Sequence, residues 1–177
     1  MVASKLTALA LSVSVVTALS AQSPAPDLSD AEVAHVAVTA NAIDVELARY
    51  AQGRARSAAV RQFAATMITD HTAVNERAAA LAGRLGVVPQ DNAVSQSLLA
   101  GAREARAGLE RVSGGTRFDR AYMDREVAYH QAVLDAIDGL LIPTTSNVEL
   151  RQLLAEVRPA VAAHLVHARQ LRESLGR

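Results

Sequence analysis

The stretch VRQFAATMITDHTAVNERAAALAGRL, residues 60–85, decides the fold of this 177-residue chain. Apolar side chains recur in it at steps of three and four residues, the spacing of a helix that packs one stripe against partner helices. The stripe consists of Val60, Phe63, Met67, His71, Val74, Ala78, Leu81 and Leu85. His71 thus occupies a core position, with Asp70 beside it. We predict a helix that begins at Ser57, ends at Gly86 and carries a histidine in its buried face.

Three other segments have the same period, and none shows the alternation typical of a β-strand. The first begins at Ser29, which forms a capping box with a glutamate three residues later. The third main helix begins at Thr116 with Asp119 and stops at Pro143, because proline interrupts a helix. The fourth begins at Ser146 with a second capping box. Four amphipathic helices predict an all-α bundle.

A long connection separates the second and third main helices. Residues 86–115 are enough to run the full length of a bundle, and residues 95–112 predict an extra short helix. The connections on either side of this one are short. This distribution favours a ferritin-like four-helix bundle with one long crossover over a simple up-and-down bundle.

The first 28 residues are distinct from the bundle, which we assign to residues 29–177. Residues 1–21 have one positive charge, an apolar run and small residues, the order found in a secretory signal peptide. The apolar run of ~14 residues is shorter than the ~20 that a membrane-spanning helix needs. We expect cleavage between Ser20 and Ser23, with an uncleaved anchor as the alternative. Residues 22–28 form an extended lead-in. The mature protein would be exported, either periplasmic or associated with the outer membrane.

Composition excludes several functional classes. The 18 basic and 18 acidic side chains cancel, which argues against a nucleic-acid-binding protein because such proteins present a basic face. The chain has no cysteine, so it has neither a disulfide nor a thiol nucleophile. No serine triad, phosphate loop or dinucleotide fingerprint is present. After signal cleavage no segment could span a membrane, and an envelope protein is a possible partner.

Three histidines fall on the buried seams of three different helices: His71, His130 and His164. Burying an imidazole that lacks a hydrogen-bond partner costs ~1–3 kcal/mol, so these side chains need one another, a carboxylate, water or a metal ion. Glu126 lies one turn before His130 on the same face. Counted from the helix ends, these four residues are near one level. They are the predicted metal ligands, and their types suit one Zn, Cu or Fe ion.

Asp70 and Glu46 are less suitable carboxylates for this site. Asp70 points about 100° away from His71 around the helix, so it is expected at the rim of the seam, solvated or paired with an arginine. Glu46 on the first helix is ~12 Å from level with His71 at 1.5 Å per residue, which makes it a poor ligand.

Short motifs on three helices carry a family resemblance. They are VRQFA at residues 60–64 with Met67 and Asp70-His71, FDRAYM at residues 118–123 with His130, and Pro159 with His164-Leu165. The pattern, over residues 29–171, resembles an exported bacterial family named domain of unknown function 4142, of the ferritin-like superfamily. The resemblance implies a ferritin-like bundle in the cell envelope and implies no activity.

The chain departs from the pattern of di-iron bundles, which use Glu-x-x-His on two helices. Glu126 precedes His130 by four residues, and Val161 stands three residues before His164. A di-iron or peroxide-handling enzyme is therefore disfavoured, and the sequence as a whole favours a protein without enzymatic activity. The favoured hypothesis is a structural or interaction module of the envelope with a polar histidine core. The alternative is a mononuclear, histidine-rich metal-binding protein for storage, sensing or redox protection.

Overall fold

Helices make up all the regular secondary structure in residues 27–176, the part of the chain that the computed structural model describes. The helices are α1 (Asp30–Arg54), α2 (Ala58–Leu85), α3 (Ala93–Arg111), α4 (Thr116–Ala136), α5 (Ile142–Thr144) and α6 (Val148–Ser174), with a π-helical turn at Ile137–Leu141 between α4 and α5. The predicted all-α bundle, with an extra helix in the crossover, is confirmed. The predicted signal peptide and residues 22–26 of the lead-in lie outside the described residues.

The bundle is built from two helix pairs. α1 packs chiefly against α2, and α4 packs chiefly against α6, while the crossover helix α3 lies against α1 and α4. The short links within each pair make its helices antiparallel neighbours. The long crossover connects the two pairs, as the sequence predicts.

The core is divided into two regions of different composition. One region holds the bulky side chains Phe63, Met67, Phe118, Tyr122 and Met123. The other is aliphatic, built from valine, leucine and isoleucine side chains of α1, α2, α4 and α6. The candidate site lies between these two regions.

Helix starts were only partly predicted. The Ser29 capping box is present, with Glu32 as its second member. The predicted capping box at Ser146 is wrong: Asn147 caps α6 and accepts a hydrogen bond from the Leu150 N–H. Ser146 instead donates its N–H to Asp30 Oδ1 at 2.8 Å, because the α1 carboxylate lies close to this turn.

The start and end of α4 also depend on distant contacts. Gly115 precedes α4 with a φ of 79°, a positive value that glycine adopts readily and other residues rarely do. Asp119, expected to help open α4, accepts hydrogen bonds from the N–H groups of Arg56 and Ser57 and so joins α4 to the α1–α2 turn. Pro143 does not stop the helical path, since it lies in the first turn of α5, where a missing N–H is tolerated.

No helix in residues 27–176 combines the length and apolar character needed to cross a membrane.

Candidate metal centre

Three helices bring the predicted histidines together in the middle of the bundle. His71 comes from α2, His130 from α4 and His164 from α6, and all three are buried. The ring centroids are 5.7 Å apart for His71 and His130, 5.3 Å for His71 and His164, and 5.5 Å for His130 and His164. One ring nitrogen of each lies within 4.8 Å of the others. The side chains therefore surround a common point.

The sequence reasoning missed Asp44, which α1 contributes to this cluster. Its side chain is fully buried, and its Oδ2 lies 3.1 Å from His71 Nε2 and 3.9 Å from His130 Nε2. A signal was available, because Asp44 follows Ala40 by four residues and precedes Leu47 by three, which places it on the apolar stripe of α1. Glu46, considered instead, is exposed.

Each histidine uses one ring nitrogen in a hydrogen bond on the outer side of the cluster. His71 Nδ1 lies 2.6 Å from Asn41 Oδ1. The Asn41 side-chain amide donates to the Ala37 carbonyl, so its oxygen faces the ring and His71 Nδ1 carries the proton. His130 Nδ1 donates to the Glu126 backbone carbonyl at 3.0 Å.

The third outer bond belongs to His164, whose Nε2 donates to Asp70 Oδ2 at 2.9 Å. Asp70 lies at the rim with 45% of its side chain exposed, where it was expected. Its partner, however, is His164 rather than an arginine. A carbonyl or carboxylate on the outer ring nitrogen is the arrangement that orients metal-binding histidines in proteins.

The inner nitrogen of each ring has a lone pair that accepts no hydrogen bond. A neutral imidazole whose outer nitrogen donates a proton presents an acceptor at the other nitrogen. His71 Nε2, His130 Nε2, His164 Nδ1 and Asp44 Oδ2 are all buried and lack a hydrogen-bond partner within residues 27–176. Four electron-pair donors thus converge without a proton between them. Burying these four atoms together costs free energy of folding unless a cation lies between them.

Arg125 supplies the positive charge on one side of this cluster. Its Nη1 lies 2.5 Å from Asp44 Oδ1 and 2.6 Å from Glu126 Oε1. The two carboxylates are fully buried, and the Arg125 side chain is 11% exposed. Glu126, a predicted metal ligand, lies closest to the outer nitrogen of His130, with its Oε2 3.4 Å from Nδ1. The carboxylate of Glu126 is therefore held by Arg125, away from the inner nitrogen of His130.

One guanidinium cannot neutralise two buried carboxylates. Burial, with the Asp44 charge added to it, raises the pKa of Glu126 to about 8. Burial lowers the pKa of His130 to about 4 and also lowers the pKa of His164. Near neutral pH these two rings are uncharged, as metal coordination requires.

Comparison with known proteins assigns the chain to a family without giving it an activity. A search of curated proteins and a search of solved structures both returned no match. A family model described as a domain of unknown function matches residues 16–171, which is most of the chain. The chain therefore belongs to the family Domain of unknown function (DUF4142).

Proposed function

We propose that this protein binds one divalent first-row transition-metal ion through His71, His130, His164 and Asp44. The observation that carries the proposal is the convergence of three imidazole lone pairs and one carboxylate oxygen, all buried and without hydrogen-bond partners among the described residues. Each outer ring nitrogen is already bound to an acceptor oxygen. The ligand set keeps the three predicted histidines and has Asp44 in place of Glu126.

The spacing of the donor atoms supports this assignment. Metal–nitrogen bonds of 2.0–2.1 Å in a tetrahedral site separate the ligand atoms by about 3.3 Å. Asp44 Oδ2 lies 3.1 Å from His71 Nε2 and 3.9 Å from His130 Nε2. The histidine nitrogens, within 4.8 Å of one another, would need only a small inward movement.

The donor types narrow the choice of ion. Three imidazoles and one carboxylate suit Zn²⁺, Fe²⁺ or Cu²⁺, whereas Ca²⁺ and Mg²⁺ prefer sets made of oxygen. The other oxygen of Asp44, Oδ1, is bound by Arg125, and this contact fixes the direction in which the proposed ligand atom Oδ2 points. The signal peptide expected from the sequence would expose this site to metal outside the cytoplasm.

A polar histidine core in an envelope interaction module is the competing function. In that arrangement His71 would carry two protons and pair with Asp44 across the 3.1 Å gap. The pair is not aligned as a hydrogen bond, and both atoms are without a partner within the described chain. The polar-core hypothesis also gives no role to the inner nitrogens of His130 and His164. We therefore favour metal binding.

Titration with Co²⁺ tests the proposal, because its visible absorption depends on the number and type of ligands. We expect the purified, chelator-treated protein to bind one Co²⁺ per chain, with the absorption of a nitrogen-rich site, and to exchange it for Zn²⁺. His164→Ala should abolish or strongly weaken binding. His167→Ala is the matched control, since His167 lies one turn away on α6 with an exposed side chain. Equal Co²⁺ binding by both variants, or none by the unmodified protein, would refute the proposed site.

A further inference from the structure

A large apolar cavity adjoins the candidate metal centre. It lies between the α1–α2 pair and the α4–α6 pair and has a volume of about 590 Å³. Cavities that bind small molecules commonly have volumes of about 300–1,000 Å³. His71 and His164 both line this cavity, so two of the proposed metal ligands form part of its wall.

The cavity exists because small side chains face it from α1 and α2. Ala34 and Ala37 on α1 and Ala78 and Ala82 on α2 all line it. The chain has only five phenylalanine and tyrosine residues and no tryptophan, and all five lie in or against the other region of the core. Of these five, Tyr129 also lines the cavity. Valine and leucine side chains of α6 cover the opposite wall without filling the space.

The cavity is elongated and mainly apolar, and the candidate metal centre lies at one end of it. Its lining on α2 runs from His71 to Leu85, a distance of about 21 Å at 1.5 Å per residue. Asn41, Asp70 and Asn75 lie near His71 and His164 at one end, and aliphatic side chains dominate the wall beyond them. Asp30 and Asn147 line the far end, where the Asp30 carboxylate accepts the Asn147 N–H. This shape fits a molecule with a small polar head and a long hydrocarbon tail.

We propose that the cavity binds a long-chain fatty acid, with the tail along α2 and the carboxylate on the metal ion. The inference rests on the proposed metal site. Asp44 is the single anionic ligand there, and Arg125 already shares its charge, so a bound dication keeps an excess of positive charge. The transition metals suited to the site accept a fifth ligand. The Asp70 carboxylate accepts the His164 hydrogen bond and is partly exposed, so solvent screens its negative charge.

Calorimetric titration with myristate tests this inference on protein loaded with Co²⁺ and on metal-free protein. We expect myristate to bind the Co²⁺-loaded protein at least about tenfold more tightly than the metal-free protein, within the usual range of coupling between two ligands. Myristate should also change the visible spectrum of bound Co²⁺. Myristyl alcohol, which has the same tail without the charge, should bind more weakly and leave that spectrum nearly unchanged.

Two substitutions fill the cavity without touching the metal ligands. Ala78→Phe should weaken myristate binding at least about tenfold, because the new ring occupies the path of the tail. Ala82→Leu is the milder second variant, in case the first fails to fold. Ala73→Phe is the matched control, because Ala73 is exposed on the same helix and should leave binding unchanged. All three variants should still bind Co²⁺.

The possible failures have different meanings. Co²⁺ binding without any myristate binding overturns the fatty-acid inference and leaves the metal site standing. Myristate binding with equal affinity to Co²⁺-loaded and metal-free protein overturns the carboxylate–metal contact. Absence of Co²⁺ binding refutes the proposed function and, with it, this inference. Myristate binding that Ala78→Phe and Ala82→Leu leave unchanged, in variants that still bind Co²⁺, places the fatty acid outside the cavity and overturns the inference.

Discussion

Replacing Arg125 with leucine tests the charge arrangement at the candidate site. The guanidinium bonds to two carboxylates that are both fully buried, those of Asp44 and Glu126. Removing one member of a buried ion pair costs about 3–5 kcal/mol, because the remaining charge stays buried without compensation. A domain of about 150 residues loses about 2–4 °C of melting temperature per kcal/mol, so we expect metal-free Arg125→Leu to melt about 6–20 °C lower.

Added metal should restore the melting temperature of Arg125→Leu by binding at a second position. Arg125 is the cation bound to both Asp44 Oδ1 and Glu126 Oε1, and neither of these oxygens belongs to the proposed metal site. With Arg125 gone, a second divalent ion can take its place. We expect two Co²⁺ ions per chain in Arg125→Leu against one in the unmodified protein. Bound metal should raise the melting temperature of the variant more than that of the unmodified protein.

Calorimetric melting and metal content after gel filtration provide the two measurements. The double variant Arg125→Leu, Glu126→Gln should return to one ion, because the second site loses a charged ligand. Arg117→Leu is the matched control on α4, since Arg117 is exposed and a surface change of this kind is usually worth less than about 0.5 kcal/mol. An unchanged melting temperature in metal-free Arg125→Leu, or a metal content that stays at one ion, would show that Arg125 does not hold the second cation position.

Three further predictions concern pH, the outer hydrogen bonds and the N-terminus. The pKa of His130 is about 4 in the fold against an ordinary value of 6.5. Protonation of the unfolded chain therefore lowers the free energy of unfolding as pH falls from about 6.5 to 4, by up to about 3 kcal/mol. The raised pKa of Glu126 acts in the opposite direction, since its stabilisation is full below about pH 4.5 and is lost as pH rises through about 8. The lowered pKa of His164 adds to the loss of stability at low pH. In urea unfolding of metal-free protein, the unmodified chain should therefore lose less stability between pH 7 and 4.5 than Glu126→Gln does; parallel pH profiles would contradict the raised pKa of Glu126. Asn41→Ala removes the hydrogen bond to His71 and should weaken Co²⁺ binding about 10–100-fold, the usual effect of losing an outer partner, and unchanged affinity would rule out that role. Mass spectrometry of the exported protein should find an N-terminus between Ser20 and Ser23, and an intact Met1 would favour the uncleaved anchor.

Much of the fold could be predicted because its determinants are local. The period of apolar residues in α2, the capping box at Ser29 and the αL glycine at Gly86 each depend on residues a few positions apart. The capping of α6 could not be predicted in the same way. Ser146 and Asn147 are both good caps, and Asp30, more than a hundred residues earlier, takes the N–H groups of both. A contact between residues that far apart in the sequence decides which of the two residues caps the helix.

The sequence by itself placed three histidines on the buried faces of three helices, because helical period alone determines which face a residue occupies. Only the tertiary structure decided which nitrogen of each ring points inward, since that depends on Asn41, the Glu126 carbonyl and Asp70 as outer acceptors. It also decided that Asp44 joins the cluster and that Arg125 holds Glu126 aside. A buried carboxylate is tolerated only beside a cation, and Asp44 finds its cation 81 residues away. Local patterns carry no information about a pairing between residues so far apart, so the position of Asp44 in the cluster and the adjoining cavity emerge only when the helices pack.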